Sequence, residues 1–297
     1  MSIDVLLDAD VLGRQRTGDE TYVENLLREL PGSAPDLRFA AVTRNPDLLP
    51  AGVEALELPA GSQELRMAWK LPRLLRRIHP RLGHYQHSLP LRPDGRTVLT
   101  VHDLSFEREP SLMPRRDRLV FKTVVPRSAR RADRLIAVSD RTKDDLVELY
   151  DIPERKIAVI PHGVDPAFTP APDGGEGYLL FVGAVQRRKD PRAALEAAQE
   201  LRMPLVVVGP EKEAALAREL RRLGADVRGY IDLRLRLHLA AGRDGGDEVT
   251  LLHGLDADFG ALVAALGCGD GHERHDPDDH GAANRPLHLF AHLVLDA

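Results

Sequence analysis

Several short stretches of this chain carry residue types that could handle an anion or a hydroxyl group. Gly13-Arg14-Gln15-Arg16-Thr17-Gly18 leads into a helical pattern. Glycine lets the backbone come close to an anion, and the first helical turn offers N–H donors with partial positive charge. Thr17 and Gly18 are therefore candidate anion contacts, although an ordinary strand-to-helix turn looks the same. Thr100-Val101-His102-Asp103 closes an apolar run. The His102 imidazole can exchange a hydrogen bond with a hydroxyl; a histidine merely satisfied at a strand end is the plainer reading. Asp103 reads as a local cap. Gly183-Ala184-Val185-Gln186-Arg187-Arg188-Lys189-Asp190 gathers cations just before a helix. Cations there are locally unfavourable unless an anion arrives, which makes Arg188 and Lys189 candidates to receive one. The alternative is a solvated basic turn. Gly209-Pro210 and Gly229-Tyr230 end the next two apolar runs, where simple turns are as good an account.

Other patterns suggest weaker chemistry. Cys268, His272, His275 and His280 are metal-ligand types, but C-x3-H-x2-H matches no fixed zinc spacing, and the Gly/Asp/His-rich surroundings also fit a disordered tail. No metal is expected. Leu65–Arg77 (LRMAWKLPRLLRR) is basic and apolar and contains the single tryptophan, Trp69. It could touch an anionic membrane surface. A core-packed helix with snorkelling cations is preferred, because Pro72 interrupts the amphipathic pattern. Arg115–Arg134 has the same ambiguity, and neither stripe shows the interleaved aromatics expected for nucleic-acid binding.

The elements that must position these residues alternate. Apolar runs at Ile3–Leu7, Phe39–Thr43, Ala55–Leu58, Leu82–His87, Thr97–His102, Leu135–Val138 and Ile157–Ile160 alternate with amphipathic patterns at Gly18–Leu30, Gln63–Ile78, Pro114–Arg131 and Asp140–Tyr150. That alternation predicts a doubly wound parallel sheet over residues 1–165. The Pro/Gly-rich residues 166–177 read as a hinge. A second alternation over 178–230 opens another Rossmann-like domain, with strands Tyr178–Val182, Leu205–Val208 and Asp226–Tyr230 and helices Asp190–Arg202 and Lys212–Leu223. Two such domains would face a cleft at the carboxyl ends of their strands.

Residues 231–297 differ in composition. They carry a net charge of −7, no lysine and seven of the twelve histidines, whereas the rest of the chain is at +2. One convincing apolar helix is expected there, Phe259–Leu266. One cysteine in 297 residues excludes an internal disulfide and fits a reducing cytoplasm. No apolar run is long enough to span a membrane, and the opening MSIDVLL reads as a strand rather than a signal peptide.

Taken in order, His-Asp after a strand, ADRLIAVS, a helix ending DLVELY, KIAVIPHGVD and Phe168-Thr169-Pro170 resemble the N-terminal domain of glycosyltransferase family 4, retaining enzymes of the GT-B fold. The resemblance covers about residues 3–230. It implies an α/β, GT-B-like chain of two Rossmann-like domains, the second incomplete. It further implies hexosyl transfer from a nucleoside-diphosphate sugar to a hydroxyl of a glycan or lipid-linked acceptor, with retention and without a metal. His102 would contact the transferred sugar. Thr17, Gly18, Gly183, Arg188 and Lys189 would face the donor diphosphate. Gly209, Pro210 and Tyr230 would lie on the nucleobase side. Location would be cytoplasmic, with possible peripheral contact at the inner membrane face.

Two departures set up a rival reading. Ala184 stands where many relatives carry an arginine. The family's Glu-x7-Glu segment, which addresses the sugar and the ribose, is not found. A shifted reading frame after about residue 231 would explain the change in composition, and Gly269–His275 read one base forward is compatible with part of the missing segment. A catalytically dead remnant that binds nucleotide weakly is the alternative. A nicotinamide-dependent enzyme is disfavoured, because no G-x-G-x-x-G follows the first strand.

Overall fold

The alternation of short β-branched runs with amphipathic helices builds parallel sheets, since each helix crosses back to start the next strand beside the last. The computed structural model describes residues 2–14, 17–112, 115–163, 178–229 and 262–265. They divide into two units, one ending at Gly163 and one beginning after it.

In the first unit, β1 (Val5–Asp8), β2 (Phe39–Thr43), β3 (Val53–Glu57), β4 (Leu82–Gln86), β5 (Arg96–Val101), β6 (Arg134–Ala137) and β7 (Ile157–Val159) form one sheet in the order β3-β2-β1-β4-β5-β6-β7. Every pairing is parallel. The strand order reverses between β1 and β4, which creates a topological switch point at their carboxyl ends. Period-two alternation fills both faces. Leu6, Val42, Tyr85, Leu99 and Leu135 belong to one core with Leu71, Leu75, Val125 and Leu146. Val5, Leu7, Ala41, Val98 and Ile136 belong to the other with Val23, Leu27 and Leu30 of α1 (Thr17–Ser33).

The expected helix over 63–78 has an unforeseen break. α2 (Gln63–Leu65) leads through a π turn at Arg66–Lys70 into α3 (Leu71–Ile78). Pro72 has no N–H for the helical ladder, and the wide turn just before it absorbs the lost bond. The turn also drives Arg66 inward. Its guanidinium is fully buried against Asp8 and Asp10, with Nη1 donating to Asp8 Oδ2 at 2.9 Å. Arg44 and Arg14 reach Asp10 from outside, at 2.6 and 3.0 Å. The core-packed reading of this helix therefore holds for Leu71, Pro72 and Leu75, while Leu65 and Trp69 are exposed. A short helix, α4 (Ser105–Arg108), was not foreseen; it is followed by α5 (Arg115–Arg131) and α6 (Asp140–Tyr150).

In the second unit, β8 (Leu179–Val182), β9 (Leu205–Val208) and β10 (Asp226–Val227) run parallel, with α7 (Pro191–Glu200) and α8 (Ala214–Arg222) between them. Here one expectation is corrected. Leu262–Ala265, read from sequence as part of a helix, is strand β11, antiparallel to β8. A short apolar run carries no periodicity that separates helix from strand. It pairs along the edge of β8 opposite β9. The expected hinge at 166–177 and the remainder of residues 231–297 lie outside the described residues.

Candidate functional site

At the switch point of the first sheet, the strand ends of β4 and β5 meet the first turns of α1. His84 and Gln86 lie on one face of β4 by alternation, with Tyr85 on the other. His84 is fully buried, and its Nε2 meets Thr100 Oγ1 at 2.8 Å. The Tyr22 hydroxyl meets the same oxygen at 3.1 Å. Burial pushes His84 down to about 3 and Tyr22 up to about 12, so both are neutral at physiological pH.

His102 lies just beyond β5. Its Nε2 donates to Gln86 Oε1 at 2.9 Å, which leaves Nδ1 with the lone pair. Aromatic neighbours enclose its ring. Tyr22 stands edge-on at 4.9 Å, His87 lies at 5.1 Å, and His162 stacks at 5.5 Å. Burial, then the nearby imidazoles, hold His102 well below the ordinary histidine range. It is a neutral hydrogen-bonding group, suited to orient a hydroxyl rather than to carry a proton as imidazolium. Asp19, His87 and His102 bring their ligand atoms within 4.8 Å of one another, and are the group among the described residues that could hold a metal.

Of the other residues expected here, Gly18 is exposed in the first turn of α1, with open space where a Cβ would stand. Among the described residues nothing therefore demands glycine at that position. Gly13 differs. At φ +75, an added Cβ would lie 2.6 Å from Asn45 Nδ2, so this glycine serves the loop itself. Thr17 begins α1. Asp103 accepts from Ser105 N and Oγ at 3.0 and 2.8 Å, the local organiser expected of it.

In the second unit the loops after β8 and β9 are locked together. Gly183 N donates to Val208 O and Val185 N to Pro210 O, both at 2.9 Å. At Gly209, φ is +150, and a Cβ would stand 2.0 Å from the Gly183 carbonyl oxygen. That approach alone accounts for Gly209. Arg187–Lys189 form a 3-10 turn, followed by Asp190 in the left-handed region. The Asp190 carboxylate accepts from Ala193 N and caps α7, so a negative group already stands at the helix start beside the cations. Arg187 is exposed and paired with Glu213. Arg188 and Lys189 are half-buried in the same turn. Tyr230, Phe168, Thr169, Pro170, Cys268, His272, His275 and His280 lie outside the described residues.

The structure thus brings Thr17, Gly18 and His102 together in one unit, and Gly183, Arg188, Lys189, Gly209 and Pro210 in the other. It adds Asp19, Tyr22, His84, Gln86, His87 and His162, to which sequence reasoning gave no role. The available signal was a histidine at the end of three of the apolar runs, in HYQH, TVHD and IPHG. Its meaning depended on knowing which strands are neighbours.

No described helix is long and apolar enough to cross a membrane. Comparison with known proteins gives a consistent picture. A D-inositol 3-phosphate glycosyltransferase of Kineococcus radiotolerans is 38% identical over 82 residues, covering 24% of this chain and 19% of that protein. One from Actinosynnema mirum is 28% identical over 272 residues, covering 74% of this chain and 62% of that protein. The chain thus spans less than two thirds of the length of either relative. Among solved structures, a glycosyltransferase from Rickettsia africae superposes with a TM-score of 0.51 at 15% identity, over 80% of this chain and 70% of that one. That likeness is one of fold, and the fold is that of the GT-B glycosyltransferases. The model of Glycosyltransferase Family 4 matches residues 16–168, which takes in the imidazole cluster and the sheet ends that carry it. By that match over half its length, the chain belongs to glycosyltransferase family 4.

Proposed function

We propose that the chain transfers a hexosyl group from a nucleoside-diphosphate sugar to an acceptor hydroxyl of a glycan or a lipid-linked glycan, with retention at the anomeric carbon. The carrying observation is the neutral His102, held by Gln86 and ringed by Tyr22, His87 and His162 at the sheet's switch point. In this reading His102 hydrogen-bonds a hydroxyl of the transferred sugar and fixes the anomeric carbon for attack. The first turn of α1, at Thr17 and Gly18, offers backbone N–H groups to phosphate oxygens. Arg188 and Lys189 neutralise charge developing on the departing diphosphate, with Gly183 allowing close approach and Gly209, Pro210 and Tyr230 on the nucleobase side. Charge neutralisation by side chains removes the need for a metal in the transfer step.

A second reading is favoured by one feature of the sequence, the missing Glu-x7-Glu segment. Such a chain would bind nucleotide weakly and transfer nothing. Incubation with UDP-, GDP- and ADP-sugars, with product release followed by chromatography, separates the two. Turnover that falls at least about a hundredfold in His102→Ala supports transfer. Nucleotide binding without turnover for any donor supports the remnant.

Peripheral membrane contact belongs to the first reading. Leu65, Trp69, Leu119 and Val120 are exposed, and basic residues accompany them on the π turn and α5. Co-sedimentation with vesicles rich in anionic lipid should be lost in Trp69→Ala. Equal binding by wild type and variant removes this surface from the proposal.

A further inference from the structure

We propose that Asp19, His87 and His102 form a binding site for one divalent transition-metal ion of the zinc type. The three residues come from the first turn of α1 and from just beyond β4 and β5, so the switch point of the sheet assembles them from distant parts of the chain. Their ligand atoms lie within 4.8 Å of one another. A tetrahedral zinc site with bonds of about 2.0–2.1 Å needs ligand atoms about 3.4 Å apart. Ion binding would draw the three side chains together by that difference.

Two independent features point to an ion. His87 holds a backbone φ of +55, an uncommon conformation for a residue with a side chain. Its Nδ1 is also buried without a hydrogen-bond partner among the described residues, a state that normally has a reason. His102 is arranged as a metal-binding histidine would be. Nε2 donates to Gln86 Oε1 at 2.9 Å, which fixes the tautomer and leaves Nδ1 free to bond an ion. Two imidazoles and one carboxylate suit Zn2+, Co2+ or Ni2+. Mg2+ and Ca2+ favour all-oxygen sites. Three protein ligands leave a coordination position for water or a hydroxyl. Ion binding does not depend on the sugar-transfer reading. If both hold, the ion occupies the His102 lone pair and competes with the sugar contact, so zinc acts as an inhibitor.

The test uses the full chain without an affinity tag. Zn2+ is titrated against a chromophoric chelator, and Co2+ is followed by its visible spectrum. The variants are Asp19→Asn and His87→Asn, the latter because asparagine tolerates the left-handed backbone. A control variant combines Cys268→Ser, His272→Ala, His275→Ala and His280→Ala, which removes the Cys/His cluster singled out in the sequence. The expected result is one equivalent of Zn2+ bound more tightly than about 10 μM. Binding should weaken at least about tenfold in each site variant and persist in the control. The Co2+ form should show ligand-field bands without a thiolate charge-transfer band. The proposal is overturned if no equivalent binds, if binding disappears with the control variant, or if the Co2+ spectrum carries the thiolate band. Circular dichroism checks that the variants fold. Should a site variant unfold, the wild-type Co2+ spectrum and the control variant decide the outcome.

Discussion

The two units hold the loop after their first strand in place by different means. In the first, buried charge does it. Arg66 lies fully buried across the end of β1, tied to Asp8 and Asp10, and this fixes the start of the loop that leads to α1. In the second, backbone does it. Gly209 presses against the Gly183 carbonyl so closely that no side chain fits between them. A side-chain network can be tuned residue by residue. A backbone contact admits one residue type.

The largest effects should come from breaking each device in turn. Arg66→Leu leaves Asp8, and in part Asp10, buried without its cation, and should cost about 3–5 kcal/mol. Gly209→Ala forces backbone apart and should cost a similar amount, about 3–5 kcal/mol, in the second unit. Urea denaturation followed by proteolytic fragment analysis would show which unit opens first. Arg66→Leu opening the second unit first, or Gly209→Ala opening the first, would defeat the distinction.

A middle-sized effect concerns pH and the first unit alone. His84 is pushed from 6.5 to about 3 by burial. The unfolded chain then binds more protons below pH 6.5, so stability is intact above that value and falls as pH falls toward 3. At pH 5 the loss should be about 2 kcal/mol. Melting temperatures from pH 7 to 5 should fall more steeply for wild type than for His84→Gln. Parallel curves would mean that His84 does not reside in the fold as a buried neutral group.

The smallest effect sharpens the contrast between glycines. Gly18 has open space around it within a helix, so Gly18→Ala should raise stability by about 0.5–1 kcal/mol. Under the proposed function the same change should weaken donor binding, since the added methyl stands where a phosphate would approach. A Gly18→Ala protein with unchanged donor affinity would take this turn out of the site.

Much of the fold could be read before any coordinates. The strands at 39–43 and 205–208 have the bounds read from the sequence, because apolar runs between breakers leave little choice. Pro72 marked an interruption near Arg66–Lys70, but that the turn buries Arg66 could not be read, since its partner lies on β1, 58 residues away. The strand at Leu262–Ala265 could not be read either, because four apolar residues suit a helix or a strand until a neighbouring edge selects one.

The candidate site divides along the same line. His102, Gly18 and the cations at 188 and 189 stand out from type and local spacing. Tyr22, His84, His87 and His162 do not, because each looks ordinary within its own segment. Local periodicity determined by itself that this chain alternates strand and helix and that certain polar residues fall at strand ends. Only tertiary structure decided that β4 lies between β1 and β5, and hence that four histidines, a tyrosine and an aspartate converge. Neighbours in a parallel sheet are chosen by packing of faces across tens of residues, and no local pattern records that choice.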